Sequence, residues 1–159
     1  MLVHLLKLPP VDGALASMAE HGVVIRRANP FELTPVRAWV HKRFGPSWAD
    51  EVSVGLANKP VSVYLALRDG RIVGFGAYEC TRRAFFGPTG VAEEERGRGI
   101  GGVLLLACLW GLRDLGYVYG IIGGAGPTAF YARAVGAEPI AGSEPGIYTD
   151  MLRGPEAMA

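Results

Sequence analysis

The sequence predicts a mixed α/β domain: one sheet with helices on both of its sides. Three observations carry that expectation. Short β-branched or alternating runs recur at 23–28, 61–68, 71–79, 84–91 and 117–122. Apolar residues at helical spacing fill the intervals, most clearly Ile100, Val103, Leu104, Ala107, Trp110 and Gly111. The two kinds of segment alternate along the chain rather than separating into blocks, which suits helices packed on a single sheet.

Each element has a local reason. Residues 2–8 read as a short extended piece that Pro9-Pro10 ends. A helix over 11–20 would bury Leu15, Met18 and Ala19, with His21-Gly22 as its stop. The strand at 23–28 runs into an Asn29-Pro30 turn. A helix from about Thr34 has Pro35 in its first turn and Val36, Trp39, Val40 and Phe44 on one face; Gly45-Pro46 closes it. A further short helix is expected over 48–57. Asp69-Gly70 is a strong two-residue hairpin turn between the strands at 61–68 and 71–79. The next strand, 84–91, contains Gly87-Pro88, which should bend or bulge it. The long helix 99–115 is capped by Gly116, and a buried-type strand follows at 117–122. After Gly123-Gly124-Ala125-Gly126, Pro127 opens a helix over 128–135 that Gly136 ends. Short strands near 139–140 and 146–151 finish the expected fold.

Composition narrows the function. At 159 residues the chain is one ordinary domain. Sixteen Lys and Arg against fifteen Asp and Glu leave a net charge of +1, and the basic pairs are too short to form a stripe, which argues against nucleic acid as the partner. No run approaches a membrane span or a signal peptide. Cys80 and Cys108 form no CxxC pair, so neither a zinc site nor a disulfide framework is expected, and a reduced, cytoplasmic setting is. The unusual number is 23 glycines. Glycine marks sharp turns and close approaches, so their clustering locates the chemistry.

They cluster before the long helix, in Glu95-Arg96-Gly97-Arg98-Gly99-Ile100-Gly101-Gly102. A helix N-terminus has unpaired N–H donors and partial positive charge; glycines there remove the Cβ atoms that would hold a phosphate off, and Arg96 and Arg98 add cationic donors. A diphosphate is the ligand expected on these grounds. A Walker loop needs Gly-Lys, which the chain lacks. Gly97, Gly99 and Gly102 satisfy a formal GxGxxG, but the strand that follows ends in Ile122-Gly123-Gly124 without the acid a dinucleotide site wants. The remaining reading is Arg96-x-x-Gly99-x-Gly101, a loop for the pyrophosphate of coenzyme A.

That loop, the helix and strand behind it, and Ala129-Phe130-Tyr131-Ala132-Arg133-Ala134-Val135-Gly136 in this order resemble the GNAT superfamily of acetyl-CoA-dependent N-acetyltransferases. The resemblance covers roughly 23–151 of a single domain spanning 1–159, with 1–22 as an N-terminal extension that either caps a sheet edge or joins a homodimer. Phe86-Gly87-Pro88-Thr89-Gly90 and Pro145-Gly146-Ile147-Tyr148 further resemble a bacterial branch of that family. The resemblance implies a mostly antiparallel central sheet of six or seven strands, splayed between the fourth and fifth. It implies acetyl-CoA as co-substrate, no metal, and direct attack of a primary amine on the thioester. The cofactor residues it implies are Val91, Arg96, Arg98, Gly99, Ile100, Gly101 and Gly102, with the Val91 N–H as oxyanion donor. Tyr131 matches the family's general acid. The sequence departs where Gly123-Gly124-Ala125-Gly126 replaces the family's asparagine, where Glu93 replaces a proline and where Ala137 replaces a phenylalanine.

The general base is less well marked. Glu79, at a strand end, is the first candidate; Glu51 and Tyr148 come next, and His41 reads as a surface residue beside Lys42-Arg43. Glu93-Glu94-Glu95 reads as a solvated turn. Trp39, Phe44, Trp48, Phe85, Phe86 and Tyr148 are candidates for an acceptor pocket, and Cys108 for a small buried hydrophobe rather than a nucleophile. The near-neutral charge favours a small-molecule amine over protein or polyamine. Two rivals stay open: a non-catalytic acyl-CoA-binding or sensing module on the same fold, and a nucleotide-dependent oxidoreductase using the formal GxGxxG.

Overall fold

The computed structural model describes residues 1–152. Its chain order is β1 (Leu2–His4), α1 (Asp12–Glu20), β2 (Val24–Arg27), α2 (Leu33–Phe44), α3 (Pro46–Ala57), β3 (Val63–Arg68), β4 (Arg71–Tyr78), β5 (Phe85–Val91), α4 (Ile100–Asp114), β6 (Tyr119–Ile122) and α5 (Thr128–Val135). The strands form one six-stranded sheet in the order β1-β6-β5-β4-β3-β2. Every neighbouring pair is antiparallel except β5 and β6.

Local chemistry accounts for most of the boundaries. The Glu32 carboxylate accepts the Asn29 N–H at 2.7 Å, capping the turn that leads into α2. Gly45 separates α2 from α3, and Pro46 starts α3 where no N–H is needed. Asp69 and Gly70 both have positive φ, 50° and 73°, as the tight β3–β4 hairpin requires. In β5, Gly87 and Pro88 together face Ala77 alone, because Gly76 pairs with Thr89 and Tyr78 with Phe86; this is the expected bulge.

The sheet's two faces carry separate cores. On one, α4 lies along the sheet with α1 and α5, and Leu104, Leu105, Leu109 and Leu112 are buried against β4–β6. On the other, α2 and α3 cover β3–β5 through Val36, Val40, Val52, Leu65 and Phe75. Gly90 has its reason here. A Cβ there would sit 2.5 Å from the Phe44 ring, so only glycine lets the α2 end close over β5.

Two expectations fail. The final strands near 139–140 and 146–151 do not form. Positive φ at Gly142, Gly146 and Asp150 breaks any extended run, and the outer edge of β6 is already taken. Its occupant is β1, which pairs Leu2 with Ile121 and His4 with Tyr119; Glu138 then bridges to Leu2 from β1's other side. In α1 the half-buried stripe is Val11, Ala14, Leu15 and Met18, and Ala19 is exposed.

Candidate active site

The site begins where β5 and β6 part. They pair only at Phe85–Ile121 and Phe86–Ile122. Beyond that β6 turns away at Gly123-Gly124, while β5 continues to Val91 bonded to β4 alone. The Ala92 N–H is bonded to Val73 on β4, so by strand alternation the Val91 N–H points to the open edge. Counted from β2, the gap lies between the fourth and fifth strands. It holds a cavity of about 810 Å³, large enough for a sizeable ligand.

One end of the cavity is the start of α4. Gly99, its N-cap, has φ +80°, a conformation L side chains resist, and this turns the chain from the loop into the helix. The backbone N–H groups of Arg98, Gly99, Ile100 and Gly101 have no partner among the described residues. A Cβ on Gly102 would meet nothing within 4 Å, and one on Gly101 only Val91 Cγ2 at 3.6 Å. The cradle is therefore bare, donor-lined space at the positive end of a 15-residue helix. Val91, Arg96, Gly99, Ile100, Gly101 and Gly102 all line the cavity. Arg98 does not. Its guanidinium lies 3.4 Å from Glu95, which makes it a rim residue.

The acidic run is structural, not merely solvated. Arg68 donates to both Glu95 oxygens, at 3.0 and 3.1 Å. Arg43 grips Glu94 the same way at 3.0 and 2.7 Å and holds its carboxyl down to about 2. The loop is thus tied to β3 on one side and to the end of α2 on the other. Glu95 also lines the cavity, but with Arg68 and Arg98 around it its charge is offset. The Arg96 guanidinium, held by Nε–H donation to the Val91 carbonyl at 3.3 Å, is left facing solvent for an anion.

Tyr131 lines the same cavity from α5, on the β6 side. Its residue is 8% exposed, its ring lies edge-on to Phe86 at 6.3 Å, and its hydroxyl has no partner among the described residues. Burial raises its pKa above the ordinary phenol value, so the proton is present at neutral pH. Phe44 and Trp48, stacked at 5.3 Å where α2 meets α3, line the opposite wall, and Phe86 lines the cavity beside Tyr131. Trp39 stays within the aromatic cluster and does not line this cavity. His41 is exposed, and Cys108 is fully buried with its thiol pushed well up, unsuited to attack.

Glu79 is not brought to the cleft, which corrects its place as first candidate base. It ends β4 with φ +58°, and its carboxylate turns back to accept the Ala84 N–H and the Arg83 guanidinium. It closes its own loop and lines a separate pocket with Asn58 and Lys59. An acid followed within five residues by arginine and a tight turn is the signal for that local role. Glu51, on α3 one turn beyond Trp48, accepts from Thr81 Oγ1 at 2.6 Å. Its charge, second to burial, raises the pKa of the Tyr148 phenol.

Residues 29–136 match the sequence profile of the Acetyltransferase (GNAT) family. The chain belongs to that family. No curated protein matches it. Solved GNAT structures share the fold at low identity. A GNAT family acetyltransferase from Brucella melitensis in complex with acetyl-CoA is 24% identical with a TM-score of 0.55, over 71% of this chain and 81% of that one. A GNAT family N-acetyltransferase (YhbS) from Escherichia coli in complex with CoA is 23% identical with a TM-score of 0.55, over 70% and 67%. The GCN5-related glucosamine N-acetyltransferase region of a fungal multi-domain β-N-acetylglucosaminidase reaches a TM-score of 0.67 at 20% identity, over 84% of this chain. This chain spans 19% of that fungal protein's length. Among the described residues no cluster of His, Cys, Asp and Glu could hold a metal, and no helix is long and apolar enough to cross a membrane.

Proposed function

We propose that this protein moves an acetyl group from acetyl-CoA to the primary amine of a small molecule by direct attack. The observation that carries the reading is the bare cradle of unpartnered N–H groups from Arg98 to Gly101, opening onto the unpaired edge of β5. The diphosphate takes those donors with Arg96, and the pantetheine arm runs into the gap between β5 and β6. The thioester oxygen becomes the oxyanion and takes the Val91 N–H. The acceptor ammonium first loses one proton to water, which frees its lone pair; as the nitrogen bonds to the carbonyl carbon, its surplus proton passes through water to Glu51. When the carbon–sulfur bond breaks, the thiolate takes the Tyr131 proton, which solvent restores. The products are the amide and free CoA.

Calorimetric titration with acetyl-CoA, followed by thiol release with a panel of amines, tests this. Expected are a saturable site and turnover that Tyr131→Phe abolishes while binding persists. Tight acetyl-CoA binding without transfer to any amine would mark a binding module instead. Stabilisation by NAD and not by acetyl-CoA would overturn the reading altogether.

A further inference from the structure

Resting on that reading, we infer that the amine acceptor is a monocation with an apolar body, seated in a second cavity built by the two ends of the chain. This cavity, about 830 Å³, shares only Ile122, Gly123 and Gly124 with the cofactor cleft. It lies on the sheet face away from α4. Phe86 and Ile122 point into the core beneath α4, and their neighbours Phe85 and Ile121 line the second cavity. On that face α2 and α3 cover β3–β5, and the roof over β6 is the strap 139–148. The floor is extended by Met1, whose nitrogen donates to the Ile122 carbonyl at 2.7 Å. Met1 and the strap both lie outside residues 29–136, the stretch that matches the family profile.

Three features define what fits. The walls are largely apolar, with Phe85, Ile121, Pro139, Ile140 and Ile147 among them, so the body of the ligand is apolar. Among the described residues no Lys or Arg side chain lines the cavity, and the Met1 amino group is committed to Ile122. Among the described residues the one carboxylate in its lining is Glu144, on the strap. That is enough for one ammonium, not for a row of them. Finally, the passage between the cavities is a sill of bare backbone. A Cβ on Gly123 would lie 2.9 Å from Phe85 and 3.2 Å from the Tyr148 hydroxyl, and one on Gly124 3.3 Å from that hydroxyl. The glycines that replace a longer side chain after β6 leave room for Tyr148. Its phenol stands where an amine would cross toward the thioester.

The test is calorimetry on the protein saturated with CoA, titrated with tryptamine (one ammonium, an apolar ring) and with spermidine. Tryptamine should bind at least about tenfold more tightly than spermidine. Ile121→Trp, filling the floor, and Ile140→Trp, filling the roof without touching the sheet, should each weaken tryptamine at least about tenfold and leave acetyl-CoA affinity within about twofold. Glu144→Gln, removing the carboxylate from the lining, should weaken both amines. Spermidine binding as tightly as tryptamine, or tryptamine indifferent to both tryptophans in variants that melt like the parent, overturns the inference. Thiol release run in parallel separates it from the reading beneath. Tryptamine bound as expected but never acetylated defeats the transfer reading and leaves this site standing. Spermidine acetylated without tryptamine binding does the reverse.

Discussion

The two ends of the through-sheet passage are built in opposite ways. The proposed cofactor end centres on one unbroken stretch, 91–102, where strand, loop and helix start follow each other and the donors are main-chain groups. The far end is assembled from Met1, the β5 start, the β6 end and the strap, residues up to 147 positions apart. The first end is fixed by backbone geometry, and side chains matter there chiefly by being absent. The second is fixed by side chains, and backbone matters only at the Gly123-Gly124 sill. A chain can therefore keep its cofactor while changing its acceptor, because different forces hold the two sites.

Four changes sharpen that contrast. The largest effect is expected from Tyr131→Phe. Loss of the acid should cut kcat by about 100-fold or more and leave acetyl-CoA affinity within about twofold, checked by stopped-flow thiol release and calorimetry. Because burial raises the Tyr131 pKa, its protonated form is kept through neutral pH; the parent's kcat should fall on its account only in alkaline solution, beyond the range where an ordinary phenol ionises. Next is Gly101→Leu, which fills the cradle. Acetyl-CoA should bind about 100-fold more weakly, yet thermal melting should not fall, since leucine is the better helix former and only Val91 lies near. A melt that collapses with the affinity would mean the glycine is structural.

Gly90→Ala should act the other way, on stability. Its Cβ meets the Phe44 ring, and overpacking of about 1–3 kcal/mol should lower Tm by roughly 2–10 °C in a calorimetric scan, with cofactor affinity changed far less. Glu94→Gln is the smallest. Exposed pairs contribute little, so Tm should move by less than about 2 °C. Acetyl-CoA affinity should drop by about two- to threefold at low salt, and the difference should vanish in about 0.5 M salt. The pH sign follows from the depressed carboxyl. The Arg43–Glu94 tie is fully present above the ordinary carboxylate value and is lost only as pH falls toward about 2. Titrating the loop's salt sensitivity between pH 7 and 5 should therefore show no change.

Legibility in the sequence follows range. The Asp69-Gly70 hairpin, the Gly87-Pro88 bulge, the Gly99 N-cap and the α4 face were readable because each depends on a few adjacent residues. So was the bare loop that leads into α4, with the Arg98 side chain displaced to the rim once Glu95 is in place. Glu79 misled for the same reason in reverse: a strand-end carboxylate looks free until its loop folds back and supplies Ala84 as donor. Glu94 and Glu95 looked solvated because Arg43 and Arg68, 51 and 27 positions away, are invisible to any local window.

By itself the sequence determined the alternation of strand and helix and the bare loop at the start of α4. Hydrophobic period, turn residues and missing Cβ atoms are local properties that survive any arrangement of the rest. Only the tertiary structure decided which edge β1 would take, that the last strands would yield to a strap, and that Phe85, Ile121 and Tyr148 would line one cavity. Those outcomes depend on which distant segments exclude water together, and that is settled by the packed whole, not by neighbours along the chain.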